Sequence, residues 1–148
     1  MTAGPGMTRE VRIQRARAWL RYLSRDMRAA RAAQDAPDRF EPYQVAFWAQ
    51  QAAEKVVKGA LAYLGVSFER THDLNDLVEL LPADWHTRKA AGALGELSLY
   101  GVDTRYPDMG EPEPTAEDAR TAIIQAAAVQ QAIRRDLEDR GFPFQSQV

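Results

Sequence analysis

Residues 47–81, FWAQQAAEKVVKGALAYLGVSFERTHDLNDLVELL, read as one long helix, a short turn and a second, shorter helix. At about 3.6 residues per turn, Val45, Trp48, Ala49, Ala52, Val56, Ala60 and Tyr63 fall on one side of the long helix. Val57, Leu61 and Leu64 widen that surface. A helix that is apolar over more than half its circumference needs neighbours on several sides, which makes this one the centre of a bundle. Its remaining arc carries Gln44, Gln50, Gln51, Glu54, Lys55 and Lys58. Polar groups placed in the middle of a small protein pose the functional question. Gly65 suits the end of the helix, because it enters the left-handed region without Cβ strain.

Working outward, Thr8 is positioned to cap an opening helix. Its stripe is Ala16, Trp19, Leu20, Leu23, Met27 and Ala30, with Arg17, Arg21 and Arg28 on the opposite face. Pro37 and Pro42 separate it from the central helix, which Asp38 or Glu41 can open. Beyond the turn, Thr71 or Asp73 caps a third helix with Leu74, Leu77, Val78 and Leu81 facing inward, and Pro82 ends it. Asp84 is the expected cap of a fourth helix carrying Ala90, Ala91, Leu94 and Leu97. Gly92 and Gly95 either weaken that helix or allow close packing. Gly101 to Pro114 reads as a long loop containing Arg105, Tyr106 and Pro107. Thr115-Ala116-Glu117-Asp118 matches a capping box that opens the last helix, with the stripe Ala119, Ala122, Ile123, Ala126, Ile133 and Leu137. The expected fold is all-α, a single five-helix up-and-down bundle over residues 8–140, with residues 1–7 and 141–148 as flexible termini.

Composition agrees. The chain has 148 residues, 45% apolar and 27% charged, enough for one domain with a real core. It has no cysteine, which excludes disulfides and thiolate metal sites and favours a cytoplasmic home. No apolar run approaches a membrane span, and the start MTAGPGMTRE lacks the apolar centre of a signal peptide. The net charge of −2 hides an asymmetry. From Arg9 to Arg31, eight arginines face only Glu10 and Asp26, a local balance of +6 that leaves −8 for the rest. Such a helix suits nucleic acid, nucleotides or an acidic partner, or it pairs with the protein's own acidic helices. The chain has two histidines, His72 and His86, and no HExxH arrangement. It has no Gly-rich phosphate loop, and Ser24, Ser67 and Ser98 lie in no nucleophile-elbow context.

The segment AFWAQQAAEKVVKGALAYLGVSFERTHDLNDLVELLP, with LYGVDTRYPD downstream, resembles the HEPN domain (higher eukaryotes and prokaryotes nucleotide-binding domain). The likeness rests on AQQAAEK at Ala49 to Lys55, on Thr71-His72-Asp73-Leu74, and on Arg105-Tyr106-Pro107 followed by a helix opening at Thr115. It extends over roughly residues 9–138. The resemblance implies a five-helix bundle that forms a homodimer. It also implies a minimal nucleotidyltransferase as a partner, within toxin–antitoxin or related defence systems. Many members are metal-independent endoribonucleases through an Arg-x4-6-His motif at the dimer interface. In this chain neither His72 nor His86 follows an arginine at that distance; Arg70 stands two residues before His72, and no histidine follows Arg105. The resemblance therefore points to the nucleotide- or RNA-binding or partner-binding branch of the family, without catalysis; no cofactor and no metal are expected.

The candidate ligand-contacting residues are Lys55, Lys58, His72, Arg105 and Tyr106, oriented by Gln51 and Glu54. Glu54 and Lys58 stand four apart and can simply pair along the helix; the functional reading is a shielded patch that meets phosphate or ribose, or a network across a dimer interface. Asp73 explains itself as a cap, and beside it His72 is either a satisfied turn histidine or a nucleotide contact. Arg105 and Tyr106 either pack on the bundle or grip phosphate and base together. In a nuclease with a non-standard site, His72 would be the general base and Arg105 would stabilise the phosphorane. A third reading is a pure protein-interaction module whose groove receives a partner helix. Trp19 and Trp48 are expected in the core, and Trp85 either there or on a contact surface.

Overall fold

A computed structural model of the chain describes residues 7–68, 73–90, 97 and 113–144. These residues form five helices: α1 (Arg9–Gln34), α2 (Pro42–Leu64), α3 (Leu74–Glu79), α4 (His86–Ala90) and α5 (Ala116–Asp139). No strand occurs among the described residues. The fold is an all-α helical bundle, as the apolar stripes require.

Local chemistry sets most of the helix ends. Thr8 Oγ1 accepts from Val11 N at 3.2 Å and opens α1. α2 begins with Pro42, whose fixed φ suits a first helical position, and Glu41 N donates to Gln44 Oε1 at 2.8 Å. It ends at Gly65, φ 73°, where Gly65 N and Val66 N return to the carbonyls of Ala62 and Leu61. Asp73 Oδ1 accepts from Asn75 N and Asp76 N at the start of α3. Thr115 and Asp118 exchange the reciprocal bonds of a capping box, at 3.1 and 2.8 Å.

α2 is the axis. Its buried residues run without a break from Ala52 to Ala53 and from Val56 to Tyr63, and α1 and α5 pack along it. Tyr63 Oη donates to Arg140 O at one end, while Val45 and Ala119 line a common cleft at the other, so α2 and α5 run in the same direction. Arg9 Nη2 reaches Gly141 O, and Ala33 lies beside Ala116, so α1 runs opposite to both. Leu61, Leu74, Leu77, Trp85, Leu97, Ile133 and Leu137 fill the fully buried centre. α1 approaches α2 closely at Gly59, where an added Cβ would lie 3.3 Å from Trp19 Cβ.

Four details differ from the sequence reading. Trp19 and Trp48 are only half-buried, Trp19 edge-to-face on Phe68 and Trp48 on the rim of the core, whereas Trp85 is fully inside. Ala90, expected among the apolar positions of the fourth helix, is exposed. Asp84 does not cap α4; it is solvent-facing and reaches Arg140 at 3.5 Å. The tail, expected to be flexible from residue 141, is packed as far as Phe144. Phe142 is 5% exposed, with its ring edge-to-face on Tyr63 and Phe144, and Arg17 Nη2 holds Pro143 O at 2.8 Å. Two aromatic rings have more to gain by covering the bundle's end than by remaining in water. The expectations for Ala91, Gly92, Leu94, Gly95, residues 101–112 of the long loop and both extreme termini fall outside the described residues.

Candidate functional site

The polar arc of α2 is roofed by α1. Lys55 Nζ pairs with Asp26 of α1 and lies 5.9 Å from the centre of the Tyr22 ring. One turn on, Lys58 Nζ donates to Glu54 Oε2 at 3.1 Å, with side chains 9% and 12% exposed. The Lys58 ammonium also lies 5.5 Å from the Trp19 ring centre and 5.9 Å from that of Phe68. Gln51 Nε2 donates at 2.7 Å to Oε1 of Gln50, which is 1% exposed. The close approach at Gly59 brings Trp19 down onto Lys58 and lets Asp26 reach Lys55.

The structure thus brings Gln51, Glu54, Lys55 and Lys58 together on one shielded flank, and none of them is a loose surface group. His72, Arg105 and Tyr106 lie outside the described residues. Electrostatically the flank is balanced, because each lysine has a carboxylate. An arriving anion meets ammonium groups already engaged and has to compete with Asp26 and Glu54 for them. Little water reaches this flank, so a polar ligand that paired here would find its hydrogen bonds strengthened by the low local dielectric.

A second polar knot has no counterpart in the sequence reading. Asp136 of α5 is 1% exposed and points at the start of α4. Its Oδ1 accepts from His86 N at 3.0 Å and meets His86 Nδ1 at 2.8 Å. Its Oδ2 accepts from Thr87 N at 2.9 Å and Thr87 Oγ1 at 2.7 Å. Burial by itself raises the pKa of this carboxyl, but the bonds from Thr87 and His86 outweigh it and leave the pKa lowered. Asp136 is the cap of α4, supplied from another helix. His86, Asp136 and Asp139 could bring one ligand atom each within 4.8 Å of one another, yet both Asp136 oxygens already serve this cap. The available signal was periodicity: Asp136 falls beside Ile133 and Leu137 in the apolar stripe of α5, where a solvated aspartate does not belong.

No helix among the described residues is long and apolar enough to cross a membrane. No curated protein and no solved structure matches the chain. The family pattern of the HEPN domain matches residues 13–136, from the first buried residue of α1 to the Asp136 cap. With that match over most of its length, the chain belongs to the HEPN domain family.

Proposed function

We propose that this chain is a non-catalytic HEPN protein that binds a nucleotide or RNA. In this reading it works in the cytoplasm as a homodimer, beside a minimal nucleotidyltransferase or similar partner in a toxin–antitoxin-type system. The ligand contacts are Lys55, Lys58, His72, Arg105 and Tyr106, with Gln51 and Glu54 orienting them.

One observation carries the reading: a flank of amides and ion pairs is kept under α1 on the most enclosed helix of the bundle. Burying paired charges is a poor way to gain stability, since apolar side chains of the same volume do as well or better. A ligand that uses those groups accounts for their presence. Spacing supports the non-catalytic reading: neither histidine stands four to six residues after an arginine, the arrangement that the resemblance implies for the family's nucleases.

The test is calorimetric titration of ATP, GTP and RNA into the full chain. Lys55→Ala and Arg105→Ala are each expected to weaken binding at least about tenfold, the loss of a charge-assisted contact. Binding that stays the same in both variants contradicts these roles.

A further inference from the structure

Phe144 of the packed tail stands between two adjoining clefts. The smaller, about 160 Å³, lies between α1 and α5 with α2 behind it. Leu23, Val56, Ile133 and Leu137, all buried, line it, and Phe144 forms one wall. The larger, about 290 Å³, carries Arg17 and Arg21. Leu20, Ser24 and Phe144 border both, which sets the two side by side. Polar groups stand only at the rim. Arg21 and Ser24 are three residues apart on α1, and Gln130 and Arg134 four apart on α5, so each pair shares a helix face. Among the described residues, no ion pair engages Arg21. The Arg134 guanidinium lies 4.1 Å from the Phe144 ring centre, and its pair with Glu138 has both side chains more than half exposed. Well-packed interiors leave few voids larger than a water molecule, and an unfilled one costs stability.

We propose that the paired clefts bind a small aryl carboxylate, its ring in the apolar cleft and its carboxylate on the rim arginines Arg21 and Arg134. Size and lining set the ring. A dry cavity of about 150 Å³ lined by Leu, Ile and Phe accepts benzene, and the inner cleft matches it in both respects. Phe144 offers the incoming ring an aromatic wall. The rim sets the charge. A ligand apolar at one end and anionic at the other satisfies both parts of the site, and the guanidinium fork matches a carboxylate in shape. The Arg134–Glu138 pair is an exposed step along one helix and is held weakly, so it yields to a ligand. A nucleotide does not fit. Base, ribose and phosphates together exceed the inner cleft, and the polar edges of the base would meet Leu23, Val56 and Ile133. The proposal does not rest on the nucleotide reading, since none of Gln51, Glu54, Lys55 and Lys58 lines either cleft.

Titration of 3-phenylpropionate into the full chain, followed by the ¹H–¹³C methyl spectrum, tests this. Saturable shifts of the Leu23, Val56, Ile133 and Leu137 methyls are expected, with a Kd of about 1 mM or tighter for so small a ligand. The uncharged 3-phenylpropanol is expected to bind at least about fivefold more weakly. Arg21→Gln/Arg134→Gln is expected to bring the acid down to the level of the alcohol. Gln130→Phe, which sets a ring in the mouth, is expected to abolish binding of both. Thermal unfolding checks that each variant is folded, and the two exposed arginines keep the test available if Gln130→Phe is not. No methyl shifts, or shifts that every variant leaves intact, overturn the site. N-acetylphenylalanine amide binding as tightly as the acid also overturns it, in favour of an aromatic side chain of a partner protein. ATP added to the acid complex is expected to leave the methyl shifts in place; displacement of the acid overturns the proposal and gives the cleft to the nucleotide. If ATP and GTP fail to bind while the acid still does, the α2 reading fails and this one stands.

Discussion

Asp26 decides how much of the Lys55 charge a ligand can feel. The carboxylate sits on α1 and claims an ammonium that belongs to the candidate site. Asp26→Asn removes the competitor and keeps the shape, so nucleotide binding is expected to tighten severalfold by titration, with a steeper loss on adding salt. Weaker binding would mean that Asp26 orients Lys55 and does not compete for the ligand. Asp136 acts on stability. Asp136→Ala strands the first N–H groups of α4 and the Thr87 hydroxyl in the interior, and is expected to cost about 2–4 kcal/mol in urea unfolding. The sign of its pH dependence follows from a folded pKa below the ordinary 3.8. The stabilisation is in full effect above the unfolded value and disappears as the pH falls through the lowered folded one. Wild type should therefore lose stability more steeply than Asp136→Asn below about pH 4. The Glu54–Lys58 pair is legible in the sequence as a four-residue step. The Lys55–Asp26 and Asp136–Thr87 contacts are not, since each joins helices whose relative placement no local pattern states.

At the scale of elements, the helix ends are legible where capping is local, as at Thr8, Gly65, Asp73 and Thr115. The start of α4 is not, because its cap comes from α5, about fifty residues away, while Asp84 merely stands in the expected place. Gly59 is opaque for a similar reason: within α2 it looks like an ordinary weak helix residue, and its use appears only when α1 crosses it. Gly59→Ala sets a gain in helix propensity of about 1 kcal/mol against a tight 3.3 Å contact with Trp19 Cβ, and should be close to neutral. Gly59→Leu has no room and is expected to cost about 1–3 kcal/mol, read as a lower urea midpoint. The same change would lift α1 from Lys55 and Lys58, so nucleotide binding should fall with stability. The packing of the Phe142 tail is invisible in the sequence for lack of a periodic partner. Phe142→Ala is expected to cost about 3 kcal/mol by removing the ring that closes on Tyr63.

For the whole molecule, charge is divided by surface. The +6 of residues 9–31 lies along α1, and most of the balancing acid lies elsewhere in the chain. Lys55 and Lys58 contribute little to that outward field because each is neutralised within the bundle. The flank on α2 is thus balanced and shielded, while the outer face of α1 is cationic. For the proposed homodimer, light scattering after gel filtration is expected to give twice the 16.6 kDa of one chain. The fold itself is legible because the apolar stripes and their caps agree with one another, and agreement across levels is what specifies a bundle. The most direct test of the α2 site is an NMR titration of the uniformly ¹⁵N-labelled full chain with ATP and with GTP. Saturable shifts centred on Gln51, Glu54, Lys55 and Lys58 are the expected result. Saturation with those four amides unmoved, or no shifts at millimolar nucleotide, would contradict it.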